Sequence, residues 1–248
     1  MKLTVVGFWG AYPDQNGATS SYLLEKNGWK VLIDCGSGCL SRLQQFTDVT
    51  DLDAVILSHY HHDHIADVGV LQYAMLVQNT LHETDNVLPI YGHRDDPKQF
   101  EQLTHHYTEG KEYDPHQALQ VGPFTITFQK TIHPVTCYGM RITDGEHTLV
   151  YTADTSFSEE WVAFADQADL LIADTNFYEG MDGTKAGHMT SNEAAHIADA
   201  AKVSELWLSH LPHFGNVTKL KQEAENYYNG TINVAEEGLD WKAKEKDT

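Results

Sequence analysis

Histidine and aspartate are concentrated in one short segment, SHYHHDH, at residues 58–64. Four potential metal ligands lie there within six residues: His59, His61, Asp63 and His64. Imidazole and carboxylate groups together suit zinc, manganese and iron. The apolar run DAVILS leads into the segment and predicts a buried strand, and a loop after a strand can direct adjacent side chains to different ions. We therefore expect a metal site in a loop at the end of this strand, with His62 facing solvent or hydrogen-bonded.

Three later segments place a further histidine or aspartate beside apolar residues: His133 in TIHPVTCYGMRI, Asp154 in VYTADTS and His210 in LWLSHLP. Together with the HxHxDH pattern of residues 59–64, their order and spacing resemble the motifs of the metallo-β-lactamase superfamily. The resemblance extends through nearly the whole chain. The segment GHMTSNEAAHIA, residues 187–198, is similar to a histidine motif of the ribonuclease Z-like and phosphodiesterase-like members, which indicates that subgroup.

The resemblance implies two sets of metal ligands that share Asp154. The first ion would be held by His59, His61, His133 and Asp154, and the second by Asp63, His64, Asp154 and His210. One carboxylate can serve both ions because it has two oxygens. Zn²⁺ fits these ligands best, with Mn²⁺ or Fe as alternatives, and two such ions would share a water, lower its pKa and hold it as a bridging hydroxide nucleophile. We expect Asp63 to act in catalysis as well as in ligation.

His188 is the second catalytic candidate. It lies just before a predicted helix that begins at Thr190, and the N-terminus of a helix attracts phosphate oxygens. The resemblance implies a position at the scissile phosphate, where a histidine can protonate the leaving group. The alternative is a histidine that only caps the helix or supports a ligand. The sequence leaves two roles for Asp34: a turn residue, or a hydrogen-bond partner of a ligand histidine. Asp174 is expected to be such a partner or a turn residue rather than a ligand.

The surrounding pattern predicts strands that bring these residues together. Residues 22–34 and 138–152 each form a predicted hairpin, with Asn27-Gly28 and Asp144-Gly145 at the turns. The two hairpins lead to Asp34 and Asp154, and ILSH at residues 56–59 is echoed by WLSH at residues 207–210. This internal echo predicts an α/β fold: a four-layer αββα sandwich built from two ββ-plus-αβ halves. We expect helices over residues 39–46, 67–78, 97–107, 190–201 and 218–228.

Length and charge limit the class of protein. The 248 residues fit a single metallo-hydrolase domain over residues 1–240, followed by a polar C-terminal tail at residues 241–248. With 36 acidic and 16 basic residues the net charge is −20, which disfavours extended nucleic acid as a partner. No apolar run is long enough for a membrane span. Three cysteines without a CxxC pair give no disulfide framework, which favours the cytoplasm.

These observations favour a dinuclear metal-dependent hydrolase that acts on a small anionic substrate, a compact phosphodiester. Two divalent ions, two aspartates and a hydroxide would leave the centre with a charge of about +1 inside an acidic protein. Ribonuclease Z-type tRNA processing is the first alternative, but residues 79–117 show no basic, glycine-rich arm. Thioester or lactone hydrolysis and metal sensing without catalysis are the others. The resemblance also implies a homodimer, which is common among the relatives.

Overall fold

A computed structural model describes residues 1–243 of the chain. Its strands are β1 Lys2–Gly7, β2 Ser21–Lys26, β3 Trp29–Ile33, β4 Ala54–Ile56, β5 Leu88–Gly92, β6 Thr108–Glu112, β7 Leu119–Val121, β8 Phe124–Lys130, β9 Tyr138–Thr143, β10 Thr148–Tyr151, β11 Leu170–Asp174, β12 Glu205–Ser209, β13 Thr231–Val234 and β14 Asp240–Lys242. Its α-helices are α1 Cys39–Leu43, α2 His62–Ile65, α3 Val68–His82, α4 Pro97–Glu101, α5 Glu160–Phe164, α6 Ser191–Ala200 and α7 Val217–Ala224. A short 3₁₀ helix spans Val49–Asp51.

The strands form two seven-stranded mixed sheets. The first sheet has the order β14-β1-β2-β3-β4-β5-β6 and the second the order β13-β12-β11-β10-β9-β8-β7. One apolar cluster lies between the two sheets, a second lies between the first sheet and helices α1 and α3, and a third lies between the second sheet and helices α5, α6 and α7. Three cores separate four layers, so the predicted αββα sandwich is confirmed.

Side chains along each strand point alternately to the two faces of its sheet, and in both sheets both faces are covered by apolar residues. In β1, Leu3 and Val5 face the other sheet, while Val6 faces the helix layer. In β3, Val31 and Ile33 lie in the central core, while Leu32 lies on the helix side. Successive side chains of a strand point to opposite faces, and a strand covered on both faces therefore needs a continuous apolar run.

The two halves follow the same plan of strand pairing. In the first half β1-β2-β3 are antiparallel neighbours, and β3-β4-β5-β6 are parallel neighbours. In the second half β8-β9-β10 and then β10-β11-β12-β13 repeat that pattern. The ILSH and WLSH echo is not part of this repeat, however. When β1–β6 are matched with β8–β13, the strand before His59 is β4, which corresponds to β11, whereas the strand before His210 is β12, which corresponds to β5. The two tetrapeptides therefore do not occupy equivalent positions.

The helices predicted over residues 39–46 and 218–228 are shorter in the structure and end at Leu43 and Ala224. Two other predicted segments differ more. The helix predicted over residues 97–107 ends at Glu101, because residues 108–112 pair with β5 as the edge strand β6. That strand, TEGKE, is polar and gives no apolar alternation, as is common for an exposed edge. The tail predicted at residues 241–248 is wrong for its first two residues, since Trp241 is buried in the central core and Lys242 pairs with β1. Residues 244–248 lie outside the described residues.

Within residues 1–243, the helices are all too short or too polar to cross a bilayer.

Candidate metal centre

The ligands predicted in the first half lie where β4 meets α2. His59 follows β4 in a buried turn, and His61 is the N-cap of α2. The expected loop is in part a helical turn, because the amides of His64 and Ile65 both donate to the carbonyl of His61. This turn holds Asp63 and His64 buried and leaves His62 exposed, as predicted.

The ligands predicted in the second half come from three separate strand ends. His133 lies in the loop between β8 and β9, Asp154 lies three residues beyond β10, and His210 follows β12 directly. His210 has a φ of 53°, a left-handed conformation that is uncommon for a histidine and that turns the chain at the end of the strand. Strands β8, β10 and β12 run in the same direction within the second sheet, so their carboxyl ends lie at the same edge and residues distant in sequence meet there.

Asp154 lies at the centre of the group and has one oxygen toward each ligand set. Its Oδ2 is 3.6 Å from Nε2 of His59 and 3.8 Å from Nε2 of His133. Its Oδ1 is 3.1 Å from Nε2 of His64 and 3.4 Å from Nε2 of His210. The ligand atoms of each predicted four-residue set lie within 4.8 Å of one another. The structure therefore brings together all seven residues in the two sets that the sequence predicts.

The donor atoms fit divalent cations. Nε2 of His59, Nε2 of His64 and Oδ1 of Asp154 are buried and make no hydrogen bond within residues 1–243. A buried polar group without a partner costs about 1–3 kcal/mol, and cations held by the two ligand sets would together satisfy all three atoms. Burial, assisted by the nearby His64, lowers the pKa of His59 well below its usual value, and the neutral imidazole is the form that binds a metal.

Hydrogen bonds on the far side of three imidazoles direct their Nε2 atoms to the centre. Nδ1 of His133 donates to the carbonyl of Gly187 at 3.0 Å, and Nδ1 of His64 lies 2.7 Å from the carboxylate of Asp34. Nδ1 of His59 lies 3.0 Å from the hydroxyl of Ser58. Such partners fix the tautomer and the orientation of ligand histidines. At Gly187, φ is 81° and a Cβ would lie 2.6 Å from His133, so this position requires glycine.

Asp34 is a partner of a ligand rather than a simple turn residue. Besides His64, its carboxylate accepts hydrogen bonds from the amide and hydroxyl of Ser58 and from the hydroxyl of Tyr151, each at 2.8 Å. Tyr151 belongs to the second sheet, so this bond joins the two halves of the chain behind the centre. Burial raises the pKa of Tyr151 well above its usual value, which keeps the hydroxyl protonated as a donor.

Asp174 and His188 form a hydrogen-bonded pair beside the centre. Nδ1 of His188 lies 2.8 Å from Oδ2 of Asp174, and the same oxygen accepts from the amide of Thr155 at 3.0 Å. The ring of His188 stacks on that of His210 with 4.9 Å between centroids. Burial opposes protonation of His188, but the Asp174 carboxylate outweighs it and raises the histidine pKa. Asp174 is thus a partner residue, as expected, and His188 lies next to a predicted ligand.

The comparison with known proteins agrees with this arrangement. The family model described as Beta-lactamase superfamily domain matches residues 29–211 of the chain. The chain belongs to the metallo-β-lactamase superfamily. Within this superfamily it is 53% identical to the Bacillus subtilis protein YhfI, described as a probable metallo-hydrolase, over 98% of this chain and 100% of YhfI.

Solved structures of the superfamily share the same fold. The crystal structure of YhfI superposes with a TM-score of 0.96 over 97% of this chain and 98% of that chain. The short form of human tRNase Z gives a TM-score of 0.77 at 19% identity, over 98% and 99% of the two chains. A diphosphatase of the PhnP family gives 0.77 at 18% identity, over 98% of each chain. Together with the histidine and aspartate cluster, these findings support a metallo-hydrolase of the metallo-β-lactamase fold.

The sequence interpretation missed the loop after β1. The backbone amide of Ala11 donates to Oδ2 of Asp63 at 2.8 Å. His213 supports this loop, since its Nε2 lies 3.0 Å from the carbonyl of Gly10 and its ring stacks on that of Tyr12. The only signal in the sequence is the glycine: a Cβ at Gly10 would lie 2.5 Å from Asn176 and 2.8 Å from the ring of His210.

Proposed function

We propose that this chain is a dinuclear metal-dependent phosphodiesterase that acts on a compact phosphodiester, such as a nucleotide or an RNA end. The observation that carries the proposal is the position of Asp154, whose two oxygens face two separate ligand sets, with His188 beside them. A single-ion site would need only one of these sets.

The seven ligands would hold two divalent cations, with Zn²⁺ the best match to imidazole and carboxylate donors. When bound, such ions lower the pKa of a shared water toward neutrality and offset negative charge on phosphoryl oxygens. The chain supplies the rest of the chemistry. Its first task is to orient the ligand histidines, which the hydrogen bonds of His64 to Asp34 and of His133 to the carbonyl of Gly187 accomplish. Burial also lowers the pKa of His59, His61 and His133, which favours their neutral form.

Asp63 and His188 are the proposed proton-handling groups. Burial opposes ionisation of Asp63, but hydrogen bonding and charge from His210 and His64 hold its pKa below the usual range. The ionised carboxylate can therefore accept a hydrogen bond from an attacking water. The hydrogen bond from Nδ1 of His188 to Asp174 leaves Nε2 for the substrate, where it can donate a proton to the leaving oxygen.

The charge distribution favours a small substrate over a long polyanion. Cations would concentrate positive charge within the centre, whereas the chain as a whole carries −20. Residues 79–117 hold the end of α3, followed by β5, α4 and β6, and their sequence contains no basic, glycine-rich arm that could bind tRNA. Ribonuclease Z-type activity, which the likeness to human tRNase Z suggests, therefore has less support here than hydrolysis of a compact phosphodiester.

The test combines metal analysis with a substrate panel. Purified protein is analysed by inductively coupled plasma mass spectrometry and assayed on bis-aryl phosphates, cyclic nucleotides, lactones and thioesters. We expect about two divalent ions per chain and hydrolysis of at least one phosphodiester, which chelation abolishes and added metal restores.

Two outcomes would contradict the proposal in different ways. Hydrolysis of a lactone or thioester with no turnover of any phosphodiester would show that the bond assignment is wrong. Two bound ions without turnover of any compound, together with a precursor tRNA that is also left intact, would favour a metal-binding protein without catalysis.

A further inference from the structure

The loop that follows β1 is held in a strained conformation beside the metal centre. The amide of Tyr12 donates to the carbonyl of Gly10, two residues earlier, at 2.7 Å, and Ala11 between them has a φ of 63°. A γ-turn of this left-handed form is rare and costs energy. Such strain persists only where surrounding contacts hold it, and it is concentrated at functional sites.

The contacts that hold the turn come from the centre itself. The amide of Ala11 donates to Oδ2 of Asp63 at 2.8 Å. Gly10 lies against His210, since a Cβ at Gly10 would come within 2.8 Å of the histidine ring. Both Asp63 and His210 are proposed ligands of the second ion. The turn therefore places Tyr12 at the edge of the centre, on the side of the second ligand set.

The ring of Tyr12 belongs to a group of three stacked rings and has one face open. His213 stacks on both Trp9 and Tyr12, with 4.9 Å and 3.7 Å between ring centroids and interplanar angles of 18° and 7°. Nε2 of His213 also lies 2.7 Å from the carbonyl of Tyr12. The tyrosine is nevertheless 58% exposed, and within residues 1–243 His213 is the only ring that packs against it. A ring already fixed by its neighbours loses little freedom when a ligand binds to its open face.

A second exposed aromatic residue follows His213 in the sequence. Phe214 is 44% exposed and packs against Phe177 with 6.2 Å between centroids, and the ring of Phe177 lies 6.3 Å from that of His188. Aromatic surface therefore borders the centre near the proposed general acid as well as near the second ligand set.

The composition of the loop favours an uncharged ring over a further phosphate. Residues 8–17, FWGAYPDQNG, contain no Lys or Arg, and the one charged residue among them is Asp14. A second phosphate or an extended nucleic-acid backbone binds through basic side chains, which this loop does not supply. A flat ring needs no such partner, and stacking of a base on an aromatic side chain strengthens binding by about 5–140-fold.

We propose that Tyr12 is a substrate-binding residue whose open face stacks on an aromatic ring, a nucleobase or an aryl group, in one ester group of the phosphodiester. Tyr12 would thus select aromatic over aliphatic esters. The inference rests on the proposed phosphodiesterase function, because it assigns a group that is attached to the phosphorus.

The test compares two phosphate monoesters that differ by one ring. Phenyl phosphate and ethyl phosphate both present a phosphate group to cations in the centre, but only phenyl phosphate can stack. Isothermal titration calorimetry of the metal-loaded protein should show that phenyl phosphate binds at least about fivefold more tightly. Tyr12→Leu, which keeps an apolar side chain but loses the ring, should abolish this difference and leave the affinity for ethyl phosphate unchanged.

Two further variants separate stacking from a general effect of the substitution. Tyr12→Phe retains the ring and should retain the preference for phenyl phosphate. Tyr73→Leu is the matched control, since it changes a tyrosine that is 65% exposed on α3, and it should bind both phosphates as the wild type does. Circular dichroism would verify that all three variants fold.

Failure of this inference can be told apart from failure of the proposed function. If the protein hydrolysed phosphodiesters but bound the two phosphates with equal affinity, or if Tyr12→Leu kept the preference, stacking at Tyr12 would be wrong and the phosphodiesterase function would stand. If neither phosphate bound to the metal-loaded protein, the proposed function would be wrong and the role of Tyr12 with it.

Discussion

At the scale of single residues, the metal centre depends most on Asp154. Five of its predicted partners are histidines, and Oδ1 and Oδ2 of Asp154 divide four of them into two pairs. The resemblance of the sequence motifs to those of the superfamily implied all seven proposed ligands. The partners behind them were harder to predict, since the bonds from Tyr151 to Asp34 and from Ala11 to Asp63 join residues far apart in sequence and carry no motif.

Replacement of Asp154 tests whether the two ligand sets share this residue. In Asp154→Ala both ligand sets lose a donor, so we expect the metal content to fall from about two ions per chain to well below one. The matched control is Asp114→Ala, an exposed aspartate distant from the centre in sequence, which should retain both ions. Mass spectrometry of the purified proteins provides the measurement, and a variant that still binds two ions would show that Asp154 does not bridge.

Replacement of His188 separates catalysis from metal binding. In His188→Ala we expect turnover of a phosphodiester to fall by about 10²–10⁴-fold, the usual contribution of a general acid, while metal content is unchanged because His188 belongs to neither predicted set. His196→Ala, which changes an exposed histidine of the same segment, serves as the control. If turnover and metal content fell together, His188 would be acting as a ligand.

At the scale of elements, most of the site was predicted because its residues lie at the ends of strongly apolar strands. The capping box of α6 was also predictable: Thr190 and Glu193 satisfy each other's backbone amides at the helix start, as the spacing TxxE suggests. The one-turn helix α2 was not predicted, because four residues, three of them polar, show no periodicity. Its geometry arises from two amides that share the carbonyl of His61.

The capping box positions the segment that carries His188. Loss of the N-cap hydroxyl in Thr190→Ala should lower the free energy of unfolding by about 0.5–2 kcal/mol, and it should also lower turnover because the cap lies two residues after His188. The N-cap of α7, Asn216, accepts from the amide of Thr218. Asn216→Ala should therefore cost similar stability in urea denaturation without affecting turnover. If Thr190→Ala and Asn216→Ala changed turnover equally, the cap of α6 would have no specific effect on the metal centre.

At the scale of the whole molecule, the internal echo predicted two similar halves but not the way in which they are joined. Tyr22 of the first sheet hydrogen-bonds Ser209 of the second at 2.6 Å, and Tyr151 reaches Asp34 in the opposite direction. The last strand, β14, crosses from the second half to pair with β1. Two of its three residues, Asp240 and Lys242, are charged, and a segment so short and polar resembles a tail until its partner strand is known.

Trp241 should contribute to stability much more than a tail residue would. It is 7% exposed in the core between the sheets, and removal of a buried tryptophan side chain costs about 3–5 kcal/mol. We expect Trp241→Ala to lower the free energy of unfolding by an amount in that range. Trp29→Ala, at a position 39% exposed, should lose less. Urea denaturation of the two variants compares them directly, and equal losses would show that β14 adds little.

The pairing of β1 with β14 also has a consequence for protein synthesis. Val5 exchanges backbone hydrogen bonds with residues 238 and 239, so one side of β1 has no neighbour until these residues have left the ribosome. At translation rates of about 5–20 residues per second, this takes roughly 12–47 s. During that interval the nascent protein presents an open sheet edge to other chains, and a chaperone that covers it would raise the yield of correctly folded molecules.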